Sequence, residues 1–290
     1  MLTCRSLVRQ FPKSCRSFSG LSYTKESPPQ VEPNYAPTLF LHGVFGSKIN
    51  FSKASKRLAA DLKTDCYCLD CRNHGRSDWR STMSLIDLAE DVASFSQEMG
   101  LDKVNIVGHS LGGKQACLVA SLYPDLVQSA VIVDMFPVTF SSSHLDDACT
   151  ALSLLPLSKL KSRDQASQLL SSQIPSELER SFILSNLVSV PGKGKGPKWR
   201  WRCNINVISE YVSDIRGYPD STPVSNVETL FLYGGKSDYM TPARVQQSRE
   251  LFSAASFKVI EDAGHIVHFE QPELFYDAVR NFFVKHGSIR

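Results

Sequence analysis

From Pro37 onward, short apolar runs alternate with longer stretches whose apolar positions recur every three or four residues. Thr38-Leu39-Phe40-Leu41 reads as a strand that ends at the turn His42-Gly43. Over 50–62, Phe51, Ala54, Leu58 and Leu62 share one helical face. Cys66-Tyr67-Cys68-Leu69 is a second strand. Ser84 is suited to cap a long helix with Leu85, Leu88, Val92, Phe95 and Met99 along one side and Gly100 at its end. Residues 104–107 and 130–133 form the third and fourth strands, and the helix between them stops at Pro124. Further strands are expected at 229–233 and 257–260, and helices at 242–252 and 272–285. Strands that are apolar throughout and separated by helices predict an α/β fold, a mostly parallel central sheet flanked by helices. Ligands bind such sheets at the carboxyl ends of the strands.

The stretch 138–226 breaks this rhythm. It is rich in Ser and Leu, with helical pieces near 145–155, 163–172, 176–189 and 204–215. It is expected to be an all-helical insertion after the fourth strand, the one that ends at Asp134, and to lie as a lid or cap over the carboxyl ends. The core is then 37–137 with 227–290, and the lid 138–226. Lys193, Lys195, Lys198, Arg200 and Arg202 stand beside Trp199 and Trp201 with no acid among them. Their glycine-rich start predicts a solvated hairpin. Basic residues interleaved with aromatics would also suit peripheral contact with an anionic membrane surface.

Composition narrows the class. With 290 residues, 42% of them hydrophobic, the chain can bury a large core, which excludes disorder for most of it. No uncharged apolar run reaches the ~18 residues that span a bilayer. The net charge of +3 resides in residues 1–35, where Arg5, Arg9, Lys13, Arg16 and Lys25 face Glu26 and Glu32; the remainder holds 27 basic and 27 acidic residues. A basic nucleic-acid-binding surface is therefore not expected. Residues 1–25 are Ser- and Arg-rich, hold no acid and intersperse Leu2, Leu7, Val8 and Phe11. That is the composition of a mitochondrial transit peptide, so a matrix location is expected. Arg16-Ser17-Phe18 before Ser19 is a candidate processing site, and 26–36, with Pro28, Pro29 and Pro33, reads as a linker. The eight cysteines read as free, packed thiols in a chain long enough to need no disulfide. A metal site at Cys66, Cys68 and Cys71 lacks a convincing fourth ligand.

The chemistry concentrates in Gly108-His109-Ser110-Leu111-Gly112, a G-x-S-x-G run directly after a strand and directly before a helix. So sharp a turn holds the serine in a strained conformation with its hydroxyl exposed at the top of the sheet. The free amides of the following helix face a developing oxyanion, with Leu111 N–H as the first donor. His42-Gly43-Val44-Phe45-Gly46 follows the first strand and is placed to give a second donor, Val44 N–H, with Phe45 N–H as the alternative. A serine alcohol needs a base. His265, in Ala263-Gly264-His265 after the last strand, stands late in the chain, as the order nucleophile, acid, histidine requires. His268 is expected to be structural and His42 to order its loop. Two acids could orient His265: Asp134 after the fourth strand and Asp238 after the fifth. Either carboxylate could accept from the imidazole, so the residues alone leave the choice open.

Together these residues resemble the α/β-hydrolase superfamily over about 37–137 and 227–288. More narrowly the chain is similar to a group of mitochondrial esterases and lipases with bacterial esterase and yeast ethanol-acetyltransferase relatives. The resemblance rests on Leu41-His-Gly-Val-Phe-Gly-Ser47, Arg72-Asn-His-Gly-Arg-Ser77, Gly108-His-Ser-Leu-Gly-Gly-Lys114, Val133-Asp134 with Pro137, and Trp201-Arg-x-Asn204. It implies a serine triad, no metal or organic cofactor, and a small-molecule or lipid ester as substrate; it says nothing of protein partners. It also implies that the acid is Asp134, although the group commonly lacks a counterpart of Asp238. The expected function is a serine carboxylesterase or acylglycerol lipase. The competing readings are an acyltransferase or thioesterase on the same triad, and a non-catalytic binding or scaffold member of the fold.

Overall fold

The computed structural model describes residues 20–32, 34–141, 143–190 and 198–288. The transit-peptide expectation falls mainly on 1–19, and Lys193 and Lys195 of the basic stretch fall on 191–197; both lie outside the described residues. The core strands are β1 (Tyr23–Glu26), β2 (Thr38–Leu41), β3 (Cys66–Leu69), β4 (Val104–His109) and β5 (Val127–Val133), followed after the insertion by β8 (Glu228–Gly234) and β9 (Ala255–Ile260). They form one sheet in the order β1-β3-β2-β4-β5-β8-β9, in which only the β1 pairing is antiparallel.

Side chains alternate across this sheet with the strand period of two. Leu39, Ile106, Ile132 and Phe231 face α2 (Leu85–Glu98) and α3 (Leu111–Leu122). Phe40, Val107, Val131 and Leu232 face α1 (Ser52–Leu62) and α11 (Pro272–His286). Apolar residues on both faces explain why these strands read as unbroken apolar runs. Ser84 does cap α2: its hydroxyl accepts from Asp87 N–H at 3.1 Å, and the Asp87 carboxylate accepts from Ser84 N–H at 2.9 Å.

Two boundaries differ from expectation. A core beginning at residue 37 is too short, because Tyr23–Glu26 pairs with β3 and the Tyr23 ring packs 5.2 Å from Phe95. Asp78 N–H donates to Gly20 O at 3.1 Å and Asp70 N–H to Ser22 O at 2.8 Å, so this stretch is part of the sheet rather than leader and linker. The insertion is not all helix. Between β5 and β8 it holds α4 (His144–Leu154), α5 (Arg163–Leu170), α6 (Glu177–Leu184), α7 (Ile205–Glu210) and α8 (Val212–Arg216), with β6 (Leu187–Val190) and β7 (Lys198–Trp201) paired as an antiparallel hairpin. Leu187-Val-Ser-Val190 carries two β-branched valines and pairs with Lys198–Trp201, so the chain leaves the helix at Leu184 rather than extending it. The last helices are α9 (Pro242–Leu251) and α10 (Val267–Glu270). Among the described residues no helix is long and apolar enough to cross a membrane.

Candidate active site

Ser110 is the single residue between β4 and α3, and it has φ +54° and ψ −117°. A side chain adopts that conformation only under strain, which the surroundings must hold in place. The glycines explain how. A Cβ on Gly108 would lie 2.1 Å from Gly112 O, and one on Gly112 would lie 2.2 Å from Leu41 O. The turn closes only where both are absent. Ser110 N–H donates to Val133 O at 3.1 Å, which ties the elbow to the neighbouring strand. Ser110 occupies the N-cap position of α3, yet its side chain makes no capping hydrogen bond.

Asp134 follows β5, also at positive φ (+47°), and is fully buried. Buried carboxylates require donors, and three converge here. Gly234 N–H donates to Oδ1 at 3.0 Å, while the Ser237 hydroxyl at 2.5 Å and His265 Nδ1–H at 2.6 Å donate to Oδ2. Assigning the Nδ1 proton to His265 from this bond leaves Nε2 as a base. The Tyr239 ring stacks on the imidazole at 4.4 Å. The loop that carries His265 is clamped as well. His109 Nε2–H donates to its carbonyl at 2.9 Å, and the Glu270 carboxylate accepts from the flanking amides of Gly264 (2.8 Å) and Ile266 (3.0 Å). Asp238, by contrast, is exposed, and among the described residues no hydrogen bond or ion pair joins its carboxylate to His265, whose partner is Asp134. Its carbonyl accepts from Arg244 Nη1 at 3.1 Å.

The two candidate oxyanion donors beside β2 differ. Phe45 N–H donates to His74 Nε2 at 3.2 Å. Burial lowers His74 to about 3, so it remains a neutral acceptor. Among the described residues the Val44 amide has no such acceptor, and Leu111 N–H lies in the first turn of α3, where amides lack intrahelical partners. A Cβ on Gly43 would stand 2.9 Å from His109 Nδ1 and 3.0 Å from Ser110 Cβ, so the loop rests directly on the elbow. His42 orders this loop: Nδ1–H donates to Gly43 O at 2.8 Å, and Nε2 accepts from Cys71 N–H at 3.1 Å. His268 is buried, stacked on Phe51 at 4.6 Å, and lowered by burial to about 3.

A cavity of about 540 Å³ opens above Ser110 and His265. Val44 and Met135 line it from the core, and Phe140, Leu145, Phe182 and Ile215 from the insertion. Charged residues, among them Glu179, Asp238 and Arg244, also line it. Ser237, Tyr239 and Glu270, which position Asp134 and His265, carry no sequence signal of their own. Ser237 is conspicuous only once Asp134 is known to need donors.

The sequence profile of the α/β-hydrolase fold matches residues 37–272. The chain is 34% identical over 249 residues to the mouse sn-1-specific diacylglycerol lipase ABHD11, covering 84% of this chain and 80% of that protein. It is 29% identical to the Escherichia coli esterase YbfF, over 87% of this chain and 95% of the esterase. It is 30% identical to a probable alcohol acetyltransferase of Wickerhamomyces anomalus, over 86% and 79%. Among solved structures, a marine microorganism esterase superposes with a TM-score of 0.82 at 31% identity, covering 90% of this chain and 98% of that one. The chain belongs to the α/β-hydrolase family, and it is a carboxylesterase-like hydrolase.

Proposed function

We propose that the protein is a serine hydrolase that cleaves carboxylic esters of lipid type, acylglycerols among them, through an acyl intermediate on Ser110. The observation that carries this reading is the 2.6 Å bond from His265 Nδ1 to the buried Asp134 carboxylate, at the strand tip beside a strained, uncapped Ser110. In the first half-reaction His265 Nε2 takes the Ser110 proton as Oγ attacks the ester carbonyl. The Val44 and Leu111 amides receive the oxyanion, and Asp134 supports the imidazolium. His265 then protonates the departing alcohol. In the second half it takes a proton from water, which attacks the acyl carbon, and it returns that proton to Ser110 Oγ as the tetrahedral adduct collapses to acid and free Ser110. The apolar lining of the cavity and the lipase name of the mouse relative support a lipid acyl group. A fluorophosphonate should attach to the peptide that carries Ser110, with labelling and ester hydrolysis lost together in Ser110→Ala. Labelling at another residue would overturn the assignment.

The acetyltransferase name of the yeast relative supports a second reading, in which an alcohol replaces water in the second half. The ratio of new ester to free acid, measured as ethanol is raised, separates the two.

We also propose that the protein acts in the mitochondrial matrix and that the insertion serves as its lid. A leader ending near Phe18 would spare β1, whereas one ending at residue 25 would remove most of that strand. Deleting residues 1–18 should disperse the protein from mitochondria with hydrolysis retained; an unchanged mitochondrial pool would refute the leader.

A further inference from the structure

Lys114 lies one helical turn after Ser110 on α3, and the mechanism above does not use it. It is 1% exposed, although it borders the cavity. Among the described residues its ammonium pairs with no carboxylate. Nζ instead donates to three carbonyls, those of Ile215 (3.1 Å), Arg216 (2.6 Å) and Gly217 (2.7 Å). An ammonium has three donors, and all three are used. The acceptors are the last two carbonyls of α8 and that of its C-cap residue Gly217, at the helix end where carbonyls have no intrahelical partners.

This is the junction where the insertion leaves and rejoins the core. Phe140 N–H, on the outgoing chain, donates to Arg216 O at 3.0 Å. Tyr218 N–H, on the returning chain, donates to Thr139 Oγ1 at 3.1 Å. The Phe140 ring lies 4.8 Å from Lys114 Nζ and 4.5 Å from the Arg244 guanidinium. The two ends of the insertion are thus joined to each other, and Lys114 bolts the joint to the helix that begins at Ser110. Burying an ammonium is costly unless its protons are satisfied. An apolar side chain would fill this space without that cost, but it would leave the joint unattached.

We propose that Lys114 is a positioning residue: it fixes the insertion as a roof over Ser110 and thereby sets the acyl-chain length the site accepts. Ile215 of α8 and Phe140 of the joint are both apolar cavity walls. An acetyl group needs only the floor around Ser110 and Val44. A longer chain must run along the roof, where each covered methylene adds to binding. Loosening the joint therefore weakens long esters more than short ones. The inference rests on the Ser110 reading.

The test compares kcat/KM for acetyl and octanoyl esters of one alcohol in the wild type, Lys114→Met and Lys114→Gln. In Lys114→Met the octanoyl value should fall about tenfold further than the acetyl value, equivalent to about 1.4 kcal/mol of lost cover. Lys114→Gln, which keeps two donors at shorter reach, should fall between. Equal losses for both esters, or none, overturn the proposal; if Lys114→Met does not fold, wild-type selectivity in Lys114→Gln overturns it alone. Amide hydrogen exchange at Phe140 and Tyr218 gives a readout independent of turnover. Both should exchange faster in Lys114→Met, and unchanged exchange counts against the joint. If the wild type neither hydrolyses esters nor takes a fluorophosphonate on Ser110, the function reading fails, and the exchange data still judge the joint.

Discussion

The floor and the roof of the cavity are built in opposite ways. On the floor, the tips of four adjacent strands each carry a non-glycine residue at positive φ: Phe45 after β2, Asn73 after β3, Ser110 after β4 and Asp134 after β5. Each such residue stores strain of roughly 1–3 kcal/mol, which persists only where neighbouring structure over-determines it. The roof, residues 143–190 and 198–226 of the insertion, has no non-glycine residue of that kind. It is joined to the floor by side-chain ties. Lys114 grips the end of α8, the Asn186 amide donates to Phe45 O, and Asn204 donates to Asn73 through both its backbone N–H (2.8 Å) and its side chain (3.3 Å). Two of the three ties therefore end on strained floor residues. In the proposed mechanism the strained positions carry the reacting groups, and the insertion both bonds to two of those positions and lines the cavity above them.

Floor substitutions should accordingly lower kcat for every ester alike. Ser110→Ala is the largest: loss of a nucleophile of this kind costs on the order of 10⁶ in kcat. A thermal melt should show the fold retained, since one hydroxyl without a capping role is removed. Next come the two acids. Asp134→Asn would present an amide N–H or a neutral oxygen to His265, favouring the wrong tautomer and leaving the imidazolium unsupported. In a serine protease that exchange costs ~10⁴ in kcat. Asp238→Asn, on an exposed carboxylate with no hydrogen bond or ion pair to His265 among the described residues, should cost about tenfold or less, the scale of ~1.4 kcal/mol. The reverse ranking, measured on variants shown folded by circular dichroism, would move the acid to the loop after β8.

The floor was the more legible half in the sequence, for a physical reason. A parallel strand buried on both faces writes an apolar run, and its end marks the tip where Ser110, Asp134, Asp238 or His265 must stand. The G-x-S-x-G turn is legible because its glycines answer clashes within a few residues of each other. The residues alone did not rank Asp134 above Asp238. That ranking came from resemblance, and its visible basis is burial with three donors, contributed by Gly234, Ser237 and His265 from 100 or more positions away. β1 was missed because Tyr-Thr-Lys-Glu is an exposed edge strand whose pairing partner writes no signal into it. The hairpin β6–β7 was missed because its first strand continues the apolar spacing of α6. The roof ties are single polar residues in tertiary contact, and no local pattern announces them.

The smallest expected effect sits where the two regions meet. Asn186 is fully buried in the roof, just before β6, and its amide donates to the carbonyl of Phe45, next to the Val44 amide proposed as an oxyanion donor. Asn186→Ala removes that donor and leaves a buried carbonyl unpaired, a loss on the order of 1–3 kcal/mol to local order. Only part of it can reach the transition state, because Phe45 stays held through its own N–H to His74. The expected result is a fall in kcat of about tenfold or less, equal for acetyl and octanoyl esters. That uniformity separates it from Lys114→Met, which lies in the floor yet should change the ratio between the two esters. If Asn186→Ala instead alters chain-length preference and leaves acetyl turnover at the wild-type rate, the tie supports the cavity wall rather than the Val44 amide. The division would then follow the chain, floor for chemistry and roof for selectivity, instead of following the bonds that cross between them.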